Sequence, residues 1–249
     1  MNKLIKDYFK GWNVFEYILL GIGLVLPLTL GLIFGSSPLE IIAATFAVCV
    51  AISFAKGKIE GYFLLFISLA LYAYIMWTYK LYGEFIIQIT INLPIAIAGV
   101  CAWAKNRRRD KTDGQVVVVG HVKKTELAIL LVSQAAMGVG YYFLLRCFGT
   151  QQLLASTFSL VFAIIGGYLL MRRSRKNMYF SVASDLSSVC IWIMIIISGH
   201  TAGIVMLVAE IMFVIIDIHG IHEWTNLKKR QRKPRTKPII TDDDDDDDL

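Results

Sequence analysis

Eight apolar runs, each long enough to cross a bilayer as a helix, take up most of this 249-residue chain. Hydrocarbon offers the backbone no hydrogen-bond partner, so a run of about 20 apolar residues can be stable there only as a helix. Bounded by charge, Gly or Pro, the runs are 12–34, 38–55, 60–79, 82–104, 125–147, 152–171, 178–198 and 202–224. They predict an all-α polytopic membrane protein with eight transmembrane helices. The chain is 56% hydrophobic and only 18% charged, against about 25% charged in soluble domains, which excludes a soluble globule. The first run follows Lys3, Lys6 and Lys10 as a secretory signal would, but it is too long for one and lacks an A-x-A site. It reads as the first spanning helix. Pro27 and Pro94 fall inside spans and predict kinks.

Orientation follows from the basic residues, because cytoplasmic loops accumulate Lys and Arg. With the N-terminus inside, 23 of the 25 fall on the cytoplasmic side, and only Lys80 and Arg146 face outward. Both termini are therefore expected in the cytoplasm. The net charge of +6 sits in short clusters between apolar runs, as in loops at a membrane surface, and argues against nucleic-acid binding. The four cysteines, Cys49, Cys101, Cys147 and Cys190, lie inside apolar runs without disulfide or zinc spacing. No metal site is expected, and His200, His219 and His222 read as interfacial histidines. Between residues 105 and 124 runs the one long connection, whose Gly114–Gly120 stretch predicts a short strand or hairpin. Past Lys228 the tail is basic, suited to anionic lipid, and then ends in seven aspartates, Asp242–Asp248, expected to be disordered.

Internal similarity divides the chain further. Ala44–Ile52 parallels Ser156–Ile164 at an offset of 112, and Gly99-x-x-x-Trp103 parallels Gly220-x-x-x-Trp224 at an offset of 121. Helices 2–4 and 6–8 therefore read as two three-helix bundles joined by helix 5, with an extra N-terminal helix outside the repeat. An odd unit followed by one linking helix makes the two copies parallel. The expected division is 1–35, an extra helix; 36–104, the first bundle; 105–150, the loop and linking helix; 151–226, the second bundle; and 227–249, a charged tail.

Ionisable and amide groups within spans are costly in hydrocarbon and usually face a cavity or a partner. Helix 4 carries Glu84, Gln88 and Asn92 at i, i+4, i+8; helix 7 carries Ser181, Asp185, Ser188 and Trp192 on one face; helix 8 carries Glu210 and Asp217 seven residues apart. Tyr72 and Tyr74 lie deep in helix 3, and Tyr179 stands at the entry of helix 7. These stripes predict a polar site between the two bundles, with interhelical hydrogen bonding as the plainer role for the same residues. Walker A, dinucleotide-fold and nucleophile-elbow motifs are all missing, so no enzyme activity and no cofactor is expected, and transport would be passive or ion-coupled.

Lys56-Gly57-Lys58, then Tyr72 with Tyr74, then Tyr82-Gly83-Glu84 with Gln88, closing on Gly99-x-x-x-Trp103 and a basic cluster, resembles the first half of the PnuC transporters. Leu170-Met171 with its basic loop and Gly220-x-x-x-Trp224 resemble the second half. The resemblance covers roughly residues 38–230. It implies a SWEET-like pair of parallel bundles, a homotrimer in the bacterial inner membrane, and import of nicotinamide riboside by facilitated diffusion, with cytoplasmic phosphorylation trapping the product. It also implies a central site to which Gln88, Asn92, Asp185 and the helix 3 tyrosines contribute. Where the family shows an acidic residue and two tryptophans entering helix 7, this chain has Asn177, Tyr179 and Val182. That departure makes deoxynucleosides and thiamine competing substrates. A membrane receptor or assembly subunit that transports nothing is the reading from another class.

Overall fold

A computed structural model of the chain describes residues 6–78, 82–110, 112–149, 152–199 and 203–232, the side chains of 82–84 excepted. Among these residues eight helices are long and apolar enough to cross a membrane. Helix α1 (Val14–Phe34) and helix α2 (Pro38–Ala55) each open on a capping box. Asn13 accepts the Glu16 amide while Glu16 accepts the Asn13 amide, and Ser37 with Glu40 repeats the exchange. Helix α3 spans Glu60–Thr78.

The fourth span comes in three pieces: α4 (Tyr82–Ile87), a π-helical turn over Gln88–Asn92, and α5 (Leu93–Lys105). Pro94 has no N–H to give the carbonyl four residues back, and the wider turn absorbs the gap, with the Leu93 amide bonding the Gln88 carbonyl. The kink expected at Pro94 takes this form, whereas α1 runs unbroken through Pro27.

Strands β1 (Arg107–Asp110) and β2 (Gly114–Val117) make a hairpin, Arg107 opposite Val117 and Asp110 opposite Gly114; β2 falls within the expected 114–120 stretch, while its partner strand lies before it. Then follow α6 (Lys124–Cys147), α7 (Leu153–Met171), α8 (Asn177–Ile197) and α9 (Ile204–Arg232). The last helix runs two turns beyond the expected end at residue 224. Its basic final turn suits the negative end of the helix dipole. Lys80, His200 and Asp242–Asp248 lie outside the described residues.

Packing closes six helices into a ring. α2 packs on α3, α3 on α5, α5 on α7, α7 on α8, α8 on α9, and α9 back on α2. The seams between the halves are α5/α7 and α9/α2, so the third ring helix of each half meets the first of the other. Outside the ring, α1 lies along α2 and α9, and α6 lies along α7.

Hydrogen bonds give the correspondence between the halves a definite register. The Lys58 amide bonds the Ser53 carbonyl and the Ser174 amide bonds the Leu169 carbonyl, both at 2.9 Å and 116 residues apart. Both helices end on a left-handed residue at the same offset, Gly57 (φ 65°) and Arg173 (φ 57°). The match expected at an offset of 112 is thus displaced by one helical turn. The Gly-x-x-x-Trp pair also has a structural cause. A Cβ on Gly99 would lie 2.3 Å from the Tyr62 hydroxyl oxygen, and one on Gly220 would lie 2.9 Å from the Met178 sulfur. Each glycine admits a side chain from the neighbouring helix of its own half.

Candidate functional site

Inside the ring lies a cavity of about 490 Å³, lined by all six ring helices. The first half supplies Tyr72 from α3 and Gln88 and Asn92 from the π turn. That turn aims both amides inward on one face, and the Asn92 Nδ2 donates to the Gln88 Oε1 at 2.6 Å. Tyr72 points its hydroxyl at the Met206 sulfur, 3.9 Å away.

The second half supplies hydroxyls and carboxylates. Ser181, Ser184, Asp185, Ser188 and Trp192 line the cavity from α8, and Ser159 faces them from α7. The Ser159 Oγ lies 2.9 Å from the Ser188 Oγ, and the Ser184 hydroxyl donates to the Ser159 carbonyl at 3.0 Å. From α9 come Glu210 and Asp217, both buried. Trp192 and Ser181 of α8 line the same stretch of wall as Glu210 and Asp217, and Asp185 joins them there. Among the described residues the Asp185 Oδ2 is buried without a hydrogen-bond partner. Carboxylates collected in a membrane-embedded cavity attract a cation or a hydrogen-bond donor, because hydrocarbon gives them neither water nor counter-ion.

Eight of the residues expected in a central site therefore come together: Gln88, Asn92, Tyr72, Asp185, Ser181, Ser188, Glu210 and Asp217. Two do not. Tyr74 is 61% exposed and Tyr179 is 52% exposed, both outside the cavity lining. The correction for Tyr74 is geometric: residues two apart on a helix point nearly opposite ways, so Tyr72 and Tyr74 cannot share the cavity. Tyr179 stands two residues before Ser181 and is turned outward for the same reason. The Glu84 side chain lies outside the described residues. Ser159 and Ser184 were not anticipated. The signal for Ser159 was the run of small residues Ser156, Ser159, Ala163 and Gly166 along one face of α7, all of which line the cavity.

A second polar cluster sits at the end of the ring that carries the basic loops, outside the cavity. Lys56 bonds Glu16 at 3.0 Å, Glu223 at 3.2 Å and the Gly11 carbonyl at 3.0 Å, and His219 lies 2.9 Å from the other side of the same Glu16 oxygen. Burial works against the Lys56 charge, yet Glu16 and Glu223 outweigh it and hold its pKa above the ordinary lysine value. Glu16, His219 and Glu223 converge within 4.8 Å of one another, the spacing of a metal-ligand group, but the ammonium of Lys56 already bridges the two carboxylates. The cluster ties α1 to the ends of α2 and α9.

Comparison with known proteins agrees with this architecture. A crystal structure of the vitamin B3 transporter PnuC superposes with a TM-score of 0.80 at 22% identity, covering 91% of this chain and 97% of that one. The nicotinamide riboside transporter PnuC of Neisseria mucosa is 24% identical over 226 residues, 90% of this chain and 86% of that protein. The family model described as nicotinamide mononucleotide transporter matches residues 37–226, well over half of the sequence. On that match, and with eight membrane helices closing on a polar cavity, the chain belongs to the nicotinamide mononucleotide transporter family, the PnuC membrane transporters.

Proposed function

We propose that this chain imports nicotinamide riboside across a bacterial inner membrane, moving it by facilitated diffusion toward the side of the basic loops, the cytoplasm. Phosphorylation there traps the product, and the transporter works as a homotrimer in contact with lipid. The observation that carries the substrate assignment is the division of the cavity wall. Asp185, Glu210 and Asp217 all stand on the second half, where a cationic pyridinium gains most from nearby carboxylates and from the Trp192 face. Opposite them, Gln88 and Asn92 offer the donors and acceptors that a neutral ribose needs, with the serine hydroxyls between. The relative from Neisseria mucosa, named a nicotinamide riboside transporter, supports the same reading.

A second substrate, thiamine, keeps the cationic ring and is favoured by the entry of α8. There Tyr179 is turned outward and Val182 offers no aromatic face, so the ring contacts implied by the family resemblance are reduced. Deoxynucleosides would use the amides and leave the carboxylates without a cation.

Purified protein screened by thermal shift against nicotinamide riboside, deoxynucleosides and thiamine decides among them, since a ligand of the folded state raises its apparent stability. Nicotinamide riboside is expected to give the largest shift and to exchange into liposomes holding the protein. The double variant Gln88→Ala with Asn92→Ala is expected to slow that exchange at least ten-fold, the equivalent of about 1.4 kcal/mol of lost binding. Unchanged exchange in the double variant would remove the π turn from the site. A larger shift with thiamine would replace the substrate.

A further inference from the structure

Phe54, Tyr62 and Met178 line the cavity, and Trp103 and Trp224, both fully buried, pack with them in a single apolar cluster at the end nearest the basic loops. Each indole crosses a seam between the halves. The Trp103 N–H, at the end of α5, donates 2.8 Å to the Leu170 carbonyl at the end of α7. The Trp224 N–H, on α9, donates 2.9 Å to the Phe54 carbonyl at the end of α2. Those two acceptors are 116 residues apart, the register that relates the halves. An indole is a donor only. Each acceptor carbonyl also takes the amide three residues on, Gly57 or Arg173, so the indole fills its second lone pair.

A strap runs across the same end. The Val117 amide bonds the Gly57 carbonyl at 3.0 Å, and the Gly120 amide bonds the Arg173 carbonyl at 2.9 Å. The end of β2 and the loop after it are thereby fastened to the corresponding left-handed residue of each half. Gln231 holds it down on α9, donating to the Val117 carbonyl and accepting from the Val119 amide.

We propose that Trp103 and Trp224 are a paired gate on the basic side, braced by the 117–120 strap, and that their two indole bonds open together. The reason is geometric. Each tryptophan belongs to one half and its acceptor to the other, so moving the halves apart as rigid bodies stretches both bonds at once. The two indole bonds cross the seams whichever substrate the cavity takes.

The test uses the full chain in liposomes with Cys49, Cys101, Cys147 and Cys190 replaced by Ala. A reporter, Ala163→Cys, is placed on the cavity wall of α7, and a membrane-impermeant thiol reagent is supplied on the basic side only. Trp103→Phe and Trp224→Phe keep an aromatic ring and remove the N–H. Each is expected to speed labelling roughly three- to ten-fold, the worth of one net hydrogen bond, and the double variant to speed it further. Labelling from the opposite side should not rise. Folded variants that label at the parent rate would overturn the gate. Should the variants fail to fold, indole N–H exchange in the unmutated protein decides. With opening rate-limiting, Trp103 and Trp224 should exchange at one shared rate, distinct from that of Trp12, and two clearly different rates would overturn the proposal.

Discussion

At the end of α2, Lys56 is sealed between Glu16 and Glu223 with 3% of its side chain exposed; at the matching end of α7, Arg172 reaches Glu126 at 2.7 Å with 43% exposed. Both pairs join the cation just after the first ring helix to an acid in the first turn of the helix packed outside it, α1 in one half and α6 in the other. The extra N-terminal helix and the linking helix thus hold corresponding places around the ring. One geometry has been filled with a buried network in one half and a solvent-exposed pair in the other. The cavity shows a similar division, with amides from the first half and carboxylates from the second. The two halves share a frame at these helix ends, and burial decides how much each of the matching contacts contributes.

The largest expected effect is on the sealed pair. Lys56→Met leaves Glu16, buried, and Glu223, half-buried, without that cation, a loss of about 3–5 kcal/mol for a buried pair broken on one side. Thermal unfolding in detergent should show it as a marked fall in Tm, and an unchanged Tm would break the contrast between the halves. The pH dependence has a definite sign. Because the folded pKa of Lys56 is raised, its contribution is complete below the ordinary lysine value near 10.4 and is lost only as pH rises through the higher folded value. For this group, stability should therefore be flat through neutrality and decline in strong alkali.

Next come the cavity carboxylates. Glu210→Gln and Asp217→Asn each remove one acidic group facing the proposed cation, and each is expected to weaken nicotinamide riboside binding about ten-fold. Gln88→Ala should weaken charged and neutral nucleosides alike. Titration calorimetry on both ligand types separates the two walls. Equal losses for charged and neutral ligands in Glu210→Gln would erase the division of labour.

How far the sequence showed these features depends on what each one rests on. Eight spans were legible because length and hydropathy are set by the bilayer, and β2 because Gly114 and its valines carry a turn and a strand pattern. Gly99 and Gly220 were legible as a pair because a residue without a Cβ admits Tyr62 or Met178, and nothing else fits. The register of α2 on α7 was not. A shift of four residues returns an apolar helix to nearly the same face, so 112 and 116 look alike until the capping hydrogen bonds are seen. Tyr74 was drawn inward by its depth, when only its angle to Tyr72 could place it. The reciprocal indole bonds were hidden too, since their acceptors are backbone carbonyls, which carry no residue type.

A smaller effect separates the two helix ends. Gly57 at φ 65° carries no Cβ, and an added one would lie 3.3 Å from the Leu227 Cδ2. Gly57→Ala is expected to cost about 1–2 kcal/mol, the penalty of a left-handed side chain. At the matching place, Arg173 already bears that penalty, and its guanidinium bonds the Val118 carbonyl at 3.4 Å. Arg173→Ala should therefore be milder than Gly57→Ala in the same unfolding measurement, and the reverse order would mean that the strap, not the turn, sets the stability of these ends.

The smallest effect belongs to the exposed pair. Arg172→Gln removes a contact that looks stronger on distance alone, 2.7 Å against 3.0 Å for Lys56 with Glu16. Distance is the wrong measure here. Water and salt screen Arg172, and Glu126 keeps the Tyr168 hydroxyl at 2.9 Å when the arginine is gone. The expected loss is at most about 1 kcal/mol and shrinks with added salt, while that of Lys56→Met does not. Running both variants at low and high ionic strength makes the comparison a difference of responses rather than of two melting points. A salt-insensitive loss at Arg172 as large as that at Lys56 would show that the outer pair is as dehydrated as the inner one, and that the two halves carry their contacts equally after all.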